Sequence, residues 1–117
     1  MKLRKEGEAG DFTGFIDEGA EINGELRFTS IFRVDGQIKG KIFSESELHI
    51  GEKGVVEADA EIGSIFINGI FRGKIIAKKR VHIHSSGKVF GEIETPVLVI
   101  EEGAIFQGNC KMPDKNL

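Results

Sequence analysis

The side chains best equipped for chemistry in this sequence are three histidines, His49, His82 and His84, and a single cysteine, Cys110. His82 and His84 flank Ile83. In an extended strand, residues i and i+2 point to the same side about 6.6 Å apart, a spacing at which two imidazoles can share a metal ion. Such a site needs a third ligand, and none stands out. His49 falls in the same column of the repeat described below as His82, but two coils away at ~9–10 Å, with Phe66 between them. The pair therefore reads as solvated surface, and no metal or cofactor is assigned. Cys110 falls where the repeat points a residue inward, so it reads as a small buried hydrophobe rather than a nucleophile. The carboxylates are scattered over outward positions, and no Ser/His/Asp arrangement emerges. Lys78-Lys79-Arg80 reads as a solvated turn, with a weak contact to an acidic lipid or partner as the alternative. The glycines from Gly63 to Gly73 are not followed by a helical pattern and so make no phosphate loop. No catalytic residue is assigned, and the chain is not expected to be an enzyme.

The elements that carry these residues come from a repeat, which decides the fold and is sought before anything else. Its core unit is apolar-x-Gly-x-apolar. The copies are Ile22-Asn23-Gly24-Glu25-Leu26, Ile38-Lys39-Gly40-Lys41-Ile42, Val56-Glu57-Ala58-Asp59-Ala60, Phe71-Arg72-Gly73-Lys74-Ile75, Val89-Phe90-Gly91-Glu92-Ile93 and Phe106-Gln107-Gly108-Asn109-Cys110. Their starts are 16, 18, 15, 18 and 17 residues apart. A second unit precedes each copy, an apolar residue followed by a turn glycine: Ile16/Gly19, Val34/Gly36, Ile50/Gly54, Ile67/Gly69, Ile83/Gly87 and Ile100/Gly103. In five coils a further apolar residue lies two positions earlier, at Phe32, Leu48, Ile65, Val81 and Leu98. Alternation at period two means strands with one buried face. A period this short leaves no room for a helix in each unit, so the repeat reads as one coil of a parallel β-helix. Six coils at ~4.8 Å each give a rod roughly 29 Å long.

Stacking the copies produces columns. Ile22, Ile38, Val56, Phe71, Val89 and Phe106 form an inward column, and Leu26, Ile42, Ala60, Ile75, Ile93 and Cys110 form another. Between them Gly24, Gly40, Ala58, Gly73, Gly91 and Gly108 are all small, which leaves room for larger side chains on facing strands. The outward column Glu25, Lys41, Asp59, Lys74, Glu92, Asn109 alternates in sign, as does the start of its neighbour, Asn23, Lys39, Glu57, Arg72. Each such pair contributes only about 0.2–1 kcal/mol, but stacked like charges would repel, so the alternation supports this register. Phe43, Phe66 and Phe90 fall outward. They read as ordinary isolated surface apolars, with lateral patches of Phe66 with Val99 and of Phe90 with Ile105 as the alternative.

The totals agree with a single domain. The chain has 117 residues, 39% hydrophobic and 30% charged, with 16 glycines and 2 prolines, and a net charge of −3. Many tight turns without proline-rich linkers suit a repetitive β-architecture. The negative charge gives no global field for nucleic acid, and none is expected as a partner. One cysteine allows no intrachain disulfide and suits a reducing compartment. The basic start, Met1-Lys2-Leu3-Arg4-Lys5, has no apolar run behind it and is not a secretory signal. The expected location is the cytoplasm. The expected organisation is a flexible tail over 1–13, a β-helix over 14–112 and a flexible tail over 113–117.

The Gly-punctuated coils, with Ile22-Asn23-Gly24-Glu25-Leu26 leading to Val34-Asp35-Gly36-Gln37-Ile38-Lys39-Gly40, and with Ile67-Asn68-Gly69-Ile70-Phe71-Arg72-Gly73, resemble the bactofilins over residues 14–112. That family comprises polymer-forming bacterial cytoskeletal proteins. The resemblance implies a right-handed β-helix of triangular section. It also implies nucleotide-independent, non-polar filaments joined head to head and tail to tail, with roles in cell shape, polarity or envelope growth. It implies envelope-associated partners and membrane association through an N-terminal segment. Here Met1, Lys2, Leu3, Arg4 and Lys5 offer one or two apolar residues and three cations. That composition supports only a weak contact with the inner face of a membrane.

Assembly is also expected on physical grounds. A β-helix closes laterally, but each end leaves a coil of unpaired backbone groups that can template another chain. Candidate interface residues are Leu98, Ile100, Ile105, Phe106 and Met112 at the C-terminal end, and Phe15, Ile16, Ile22, Leu26 and Phe28 at the N-terminal end. Two other readings compete. A hexapeptide-repeat acyltransferase has a strict apolar residue every six positions. Coil 3 mimics this with Ile50, Val56 and Ile62, but Val34 to Ile38 and Ile67 to Phe71 are only four apart. A monomeric binding scaffold would display the same outward columns without polymerising.

Overall fold

The computed structural model describes residues 14–113. Alternating apolar residues bounded by glycine turns do form strands, ten of them: β1 (Gly14–Ile16), β2 (Glu21–Arg27), β3 (Phe32–Val34), β4 (Gln37–Phe43), β5 (Glu47–Ile50), β6 (Val55–Ile67), β7 (Ile70–Ile83), β8 (Lys88–Glu94), β9 (Leu98–Ile100) and β10 (Ile105–Lys111). Every pairing is parallel. Each coil places a short strand under its equivalent in the next coil, and β6 and β7 each run on from one coil into the following one. The result is a parallel β-solenoid of six coils with extents of 43 × 27 × 26 Å.

The register matches the repeat residue for residue. Ile22 pairs with Ile38, Ile38 with Val56, Val56 with Phe71, Phe71 with Val89 and Val89 with Phe106. The shorter strands align Ile16, Val34, Ile50, Ile67, Ile83 and Ile100 in the same way. The inner columns make one continuous core. Val34, Ile38, Ile42, Leu48, Val56, Ile62, Ile65, Ile67, Phe71, Ile75, Val81, Ile83 and Val89 are fully buried. Completely burying one such side chain contributes about 1.5–3 kcal/mol, so the columns are the main source of stability. Coils of unequal length keep one pitch because the spare residues go into corners. Four corners are closed by an N–H to C=O bond across the turn: Ala20 to Asp17, Gly54 to Gly51, Gly87 to His84 and Ala104 to Glu101, at 2.8–3.0 Å. Two are shorter, at Asp35-Gly36 and Asn68-Gly69, and bond to the coil below through Asp35 N–H to Ile16 O at 2.7 Å and Asn68 N–H to Ile50 O at 2.8 Å.

The glycine column has a different cause from the one its size suggests. Strand parity would turn Gly40 inward between Ile38 and Ile42, yet Gly40 is exposed while both neighbours are buried. The backbone bends there, with φ of +137° at Gly40 and between +129° and +146° at Gly24, Gly73, Gly91 and Gly108. Only glycine adopts this conformation cheaply. A Cβ on Gly40 would also collide with the carbonyl oxygen of Gly24 in the coil below. The column is thus a corner of the section, and the small residue is demanded by backbone geometry and coil-to-coil approach rather than by facing side chains.

Candidate assembly surfaces and the histidine cluster

The solenoid has two open ends among the described residues. At one, β1 pairs only with β3 and β2 only with β4. At the other, β9 pairs only with β7 and β10 only with β8. The inward columns show what this does to the core. Ile38 and Ile42 are fully buried, whereas their counterparts Ile22 and Leu26 in coil 1 are half-buried. Val89 is fully buried and its counterpart Phe106 is half-buried. Ile83 is fully buried and Ile100, one coil on, is 45% exposed. A position that belongs to the core in every inner coil becomes surface at an end because no coil stacks beyond it.

The remaining interface candidates distribute as follows. Ile105 is 39% and Met112 52% exposed, and Leu98 is half-buried. Phe15 and Phe28 are half-buried, and Phe28 lies 5.0 Å from Phe32, ring centre to ring centre. Ile16 is already buried within the chain. Met1, Lys2, Leu3, Arg4 and Lys5 lie outside the described residues. Two residues of the C-terminal end escaped sequence reasoning. Val97, which opens the last coil after Pro96, is 37% exposed. Cys110 is exposed rather than buried: its column does point inward, but it belongs to the last coil, so the argument that exposes Phe106 applies to it too. Partial desolvation still raises its thiol above the ordinary cysteine value. All four large hydrophobic side chains that stand exposed among the described residues, Val97, Ile100, Ile105 and Met112, lie in or just after the last coil.

The outward phenylalanines are rungs of mixed ladders. Arg27 lies over Phe43 at 4.5 Å and Arg72 over Phe90 at 5.5 Å, each across a strand pair, in cation–π geometry. Phe66 stacks on His49 at 4.6 Å, and His82 separates it from Val99, so the two apolar residues are not neighbours. Ile105 pairs with Lys88, and Phe90 with Gln107. In the charged columns, Lys39 and Glu57 approach to 3.7 Å.

On the other flank, the structure supplies the third member that the histidine pair lacked. Glu101 opens the corner one residue beyond the Ile83–Ile100 pair, directly over His84. Its Oε2 lies 2.7 Å from His82 Nε2 and 3.0 Å from His84 Nδ1, and its Oε1 accepts the Ser85 N–H at 3.2 Å. The hydrogen bond to His82, then that to His84 with its charge and that from Ser85, hold the Glu101 carboxyl below the ordinary value of 4.5 against a smaller opposing effect of desolvation. The alignment of Ile83 with Ile100 already contained this contact, because it puts residues 84 and 101 in one column.

Comparison with known proteins agrees with this architecture. Residues 14–111 match the family model for bactofilin, described as polymer-forming cytoskeletal. The chain is 36% identical over 100 residues to bactofilin BacO of Myxococcus xanthus, covering 86% of this chain and 79% of BacO. It is 29% identical over 93 residues to bactofilin BacP of the same organism, covering 80% of this chain and 39% of BacP. Among solved structures it resembles a cryo-EM reconstruction of Thermus thermophilus bactofilin double helical filaments, with a TM-score of 0.74 and 27% identity over 82% of this chain and 97% of that one. A six-coil parallel solenoid whose core columns break off at two open ends, matched by the family model over nearly its whole described length, belongs to the bactofilins, a family of polymer-forming cytoskeletal proteins.

Proposed function

We propose that this chain builds filaments by stacking its solenoids end to end, without nucleotide, and serves as a structural scaffold for cell-shape or envelope-associated proteins rather than as an enzyme. The observation that carries the reading is the break in the core columns. Phe106 and Ile100 occupy positions that are fully buried one coil earlier, and a second solenoid would supply the missing coil. Stacking would bury these side chains and pair the free edges of β9 and β10, or of β1 and β2, satisfying backbone groups that otherwise need water. The two ends carry different residues, so head-to-head and tail-to-tail joints are each isologous. Alternating them yields an open, non-polar filament. Interface residues are Leu98, Ile100, Ile105, Phe106 and Met112 at one joint, with Val97 and Cys110 added, and Phe15, Ile16, Ile22, Leu26 and Phe28 at the other. Right-handed winding belongs to this reading and rests on the resemblance to the bactofilins.

The assembly site in this reading is cytoplasmic, at the inner face of the membrane, with only weak lipid contact through Met1, Lys2, Leu3, Arg4 and Lys5. No helix among the described residues is long and apolar enough to cross a membrane. Negative-stain electron microscopy and pelleting of the chain, purified without nucleotide, test the reading. Thin filaments a few nanometres wide are expected. A uniform field of small particles at all salt and protein concentrations overturns it in favour of a monomeric scaffold.

A further inference from the structure

His82, His84 and Glu101 bring three ligand atoms, two imidazole nitrogens and one carboxylate oxygen, within 4.8 Å of one another. The backbone determines this arrangement. His82, on β7, and His84, the first residue past its end, flank Ile83, which is fully buried and therefore anchors both. Glu101 is held over them by its own N–H, which donates to the Ile83 carbonyl at 3.0 Å. The histidine rings stack at 4.3 Å, and Phe66 closes one side with its centre 6.1 and 6.4 Å from the two rings. Side-chain exposures of 20%, 32% and 40% leave the cluster reachable from solvent but partly desolvated.

We propose that His82, His84 and Glu101 form a binding site for a divalent transition-metal ion, with Zn2+ as the representative. Two imidazoles and one carboxylate are a donor set of borderline softness that suits Zn2+, Ni2+, Co2+ or Cu2+. Ca2+ and Mg2+ prefer all-oxygen sites. Three protein ligands leave the remaining position to water. Coordination requires lone pairs at His82 Nε2 and His84 Nδ1. A neutral imidazole provides this by carrying its proton on the other ring nitrogen, and the ion then takes the place of the hydrogens now shared with Glu101. The Ser85 N–H on Oε1 orients the carboxylate from behind, as second partners of metal ligands do. His49 stays outside the set, on the far side of Phe66 and 3.0 Å from Glu47. The ligands come from coil 5 and coil 6, so the ion clamps the last coil to the body of the solenoid.

The test is calorimetric titration of the untagged chain with ZnCl2, together with the visible absorption of bound Co2+, which reports imidazole and carboxylate ligation. Both are run on the unaltered chain and on Phe106→Arg, so that assembly and metal binding are read apart. One ion per chain is expected, with no comparable binding of Ca2+ or Mg2+. Glu101→Gln and His82→Gln are expected to weaken Zn2+ more than about tenfold each, while His49→Gln leaves it unchanged. Far-UV circular dichroism establishes that the variants are folded. No Zn2+ binding by the unaltered chain, or binding that survives intact in both ligand variants, overturns the proposal.

Discussion

Phe106 stands in register on Val89 across the β10–β8 pair, yet Val89 is fully buried and Phe106 is only half-buried. Among the described residues Val89 has a coil on both sides and Phe106 on one only. Phe106→Arg puts a charge where a stacked partner would have to desolvate it, which is costly without a counter-charge. Filaments are expected to disappear from micrographs and protein from the pellet, while the β-type circular dichroism spectrum persists. Loss of the packing Phe106 already makes is expected to lower Tm by about 5–10 °C. A variant that pellets like the unaltered chain removes Phe106 from the joint.

Cys110 reports the same end chemically. It is exposed in the single chain, on the face carrying Ile100 and Phe106. A maleimide is expected to label it rapidly in the Phe106→Arg chain and slowly in assembled filaments. Labelling is expected to quicken at alkaline pH, because the thiol is raised above its ordinary value and the thiolate is the reactive form. Equal labelling rates in the two states place Cys110 outside the joint.

Two glycines of one column separate strain from collision. Gly24 and Gly40 both have φ above +130°, but a Cβ meets nothing within 4 Å at Gly24 and the Gly24 carbonyl oxygen at Gly40. Gly24→Ala is expected to cost about 1–3 kcal/mol from backbone strain alone. Gly40→Ala carries the collision as well and is expected to lower Tm further. Equal melting temperatures for the two variants would show that the coils can move apart to admit a methyl group.

Glu101 gives a pH signature. Its carboxyl is held below 4.5, by the His82 hydrogen bond above all. A depressed carboxyl stabilises the folded chain above its unfolded value, and the contribution is lost as pH falls through the folded value. The groups facing it are His82, His84 and the Ser85 N–H, with Phe66 beyond them and the His49–Glu47 pair on the far side. Carbon-detected NMR titration is expected to find Glu101 protonating below 4.5, with His82→Gln moving it back up. An unmoved midpoint in that variant assigns the shift elsewhere.

Much of the fold was legible because a solenoid repeats one local decision six times. The column Ile22, Ile38, Val56, Phe71, Val89, Phe106 is both a sequence pattern and the observed register, since parallel in-register stacking leaves no other way to keep apolar residues inside. What escaped were features that depend on position along the stack or on backbone dihedrals. Cys110 matched an inward pattern, but no coil covers it among the described residues. Gly40 matched inward parity, but its φ of +137° carries the backbone around a corner that side-chain periodicity does not encode. Glu101 was hidden because it lies one coil up in a turn, outside the strand column that runs from His82 towards His49.

The corners closed at Asp17–Ala20, Gly51–Gly54, His84–Gly87 and Glu101–Ala104 hold most of the residues by which one coil outgrows another, and the strands on either side of them stay in register. Length is therefore a free variable at the rim and a forbidden one along the walls. A lengthening at Glu52-Lys53 extends outward and leaves every column in step, whereas a single residue added within β4 would swap the inner and outer faces of that strand from the insertion onward. The solenoid can thus lengthen at its corners while its cross-section, and with it the shape of each open end, stays constant.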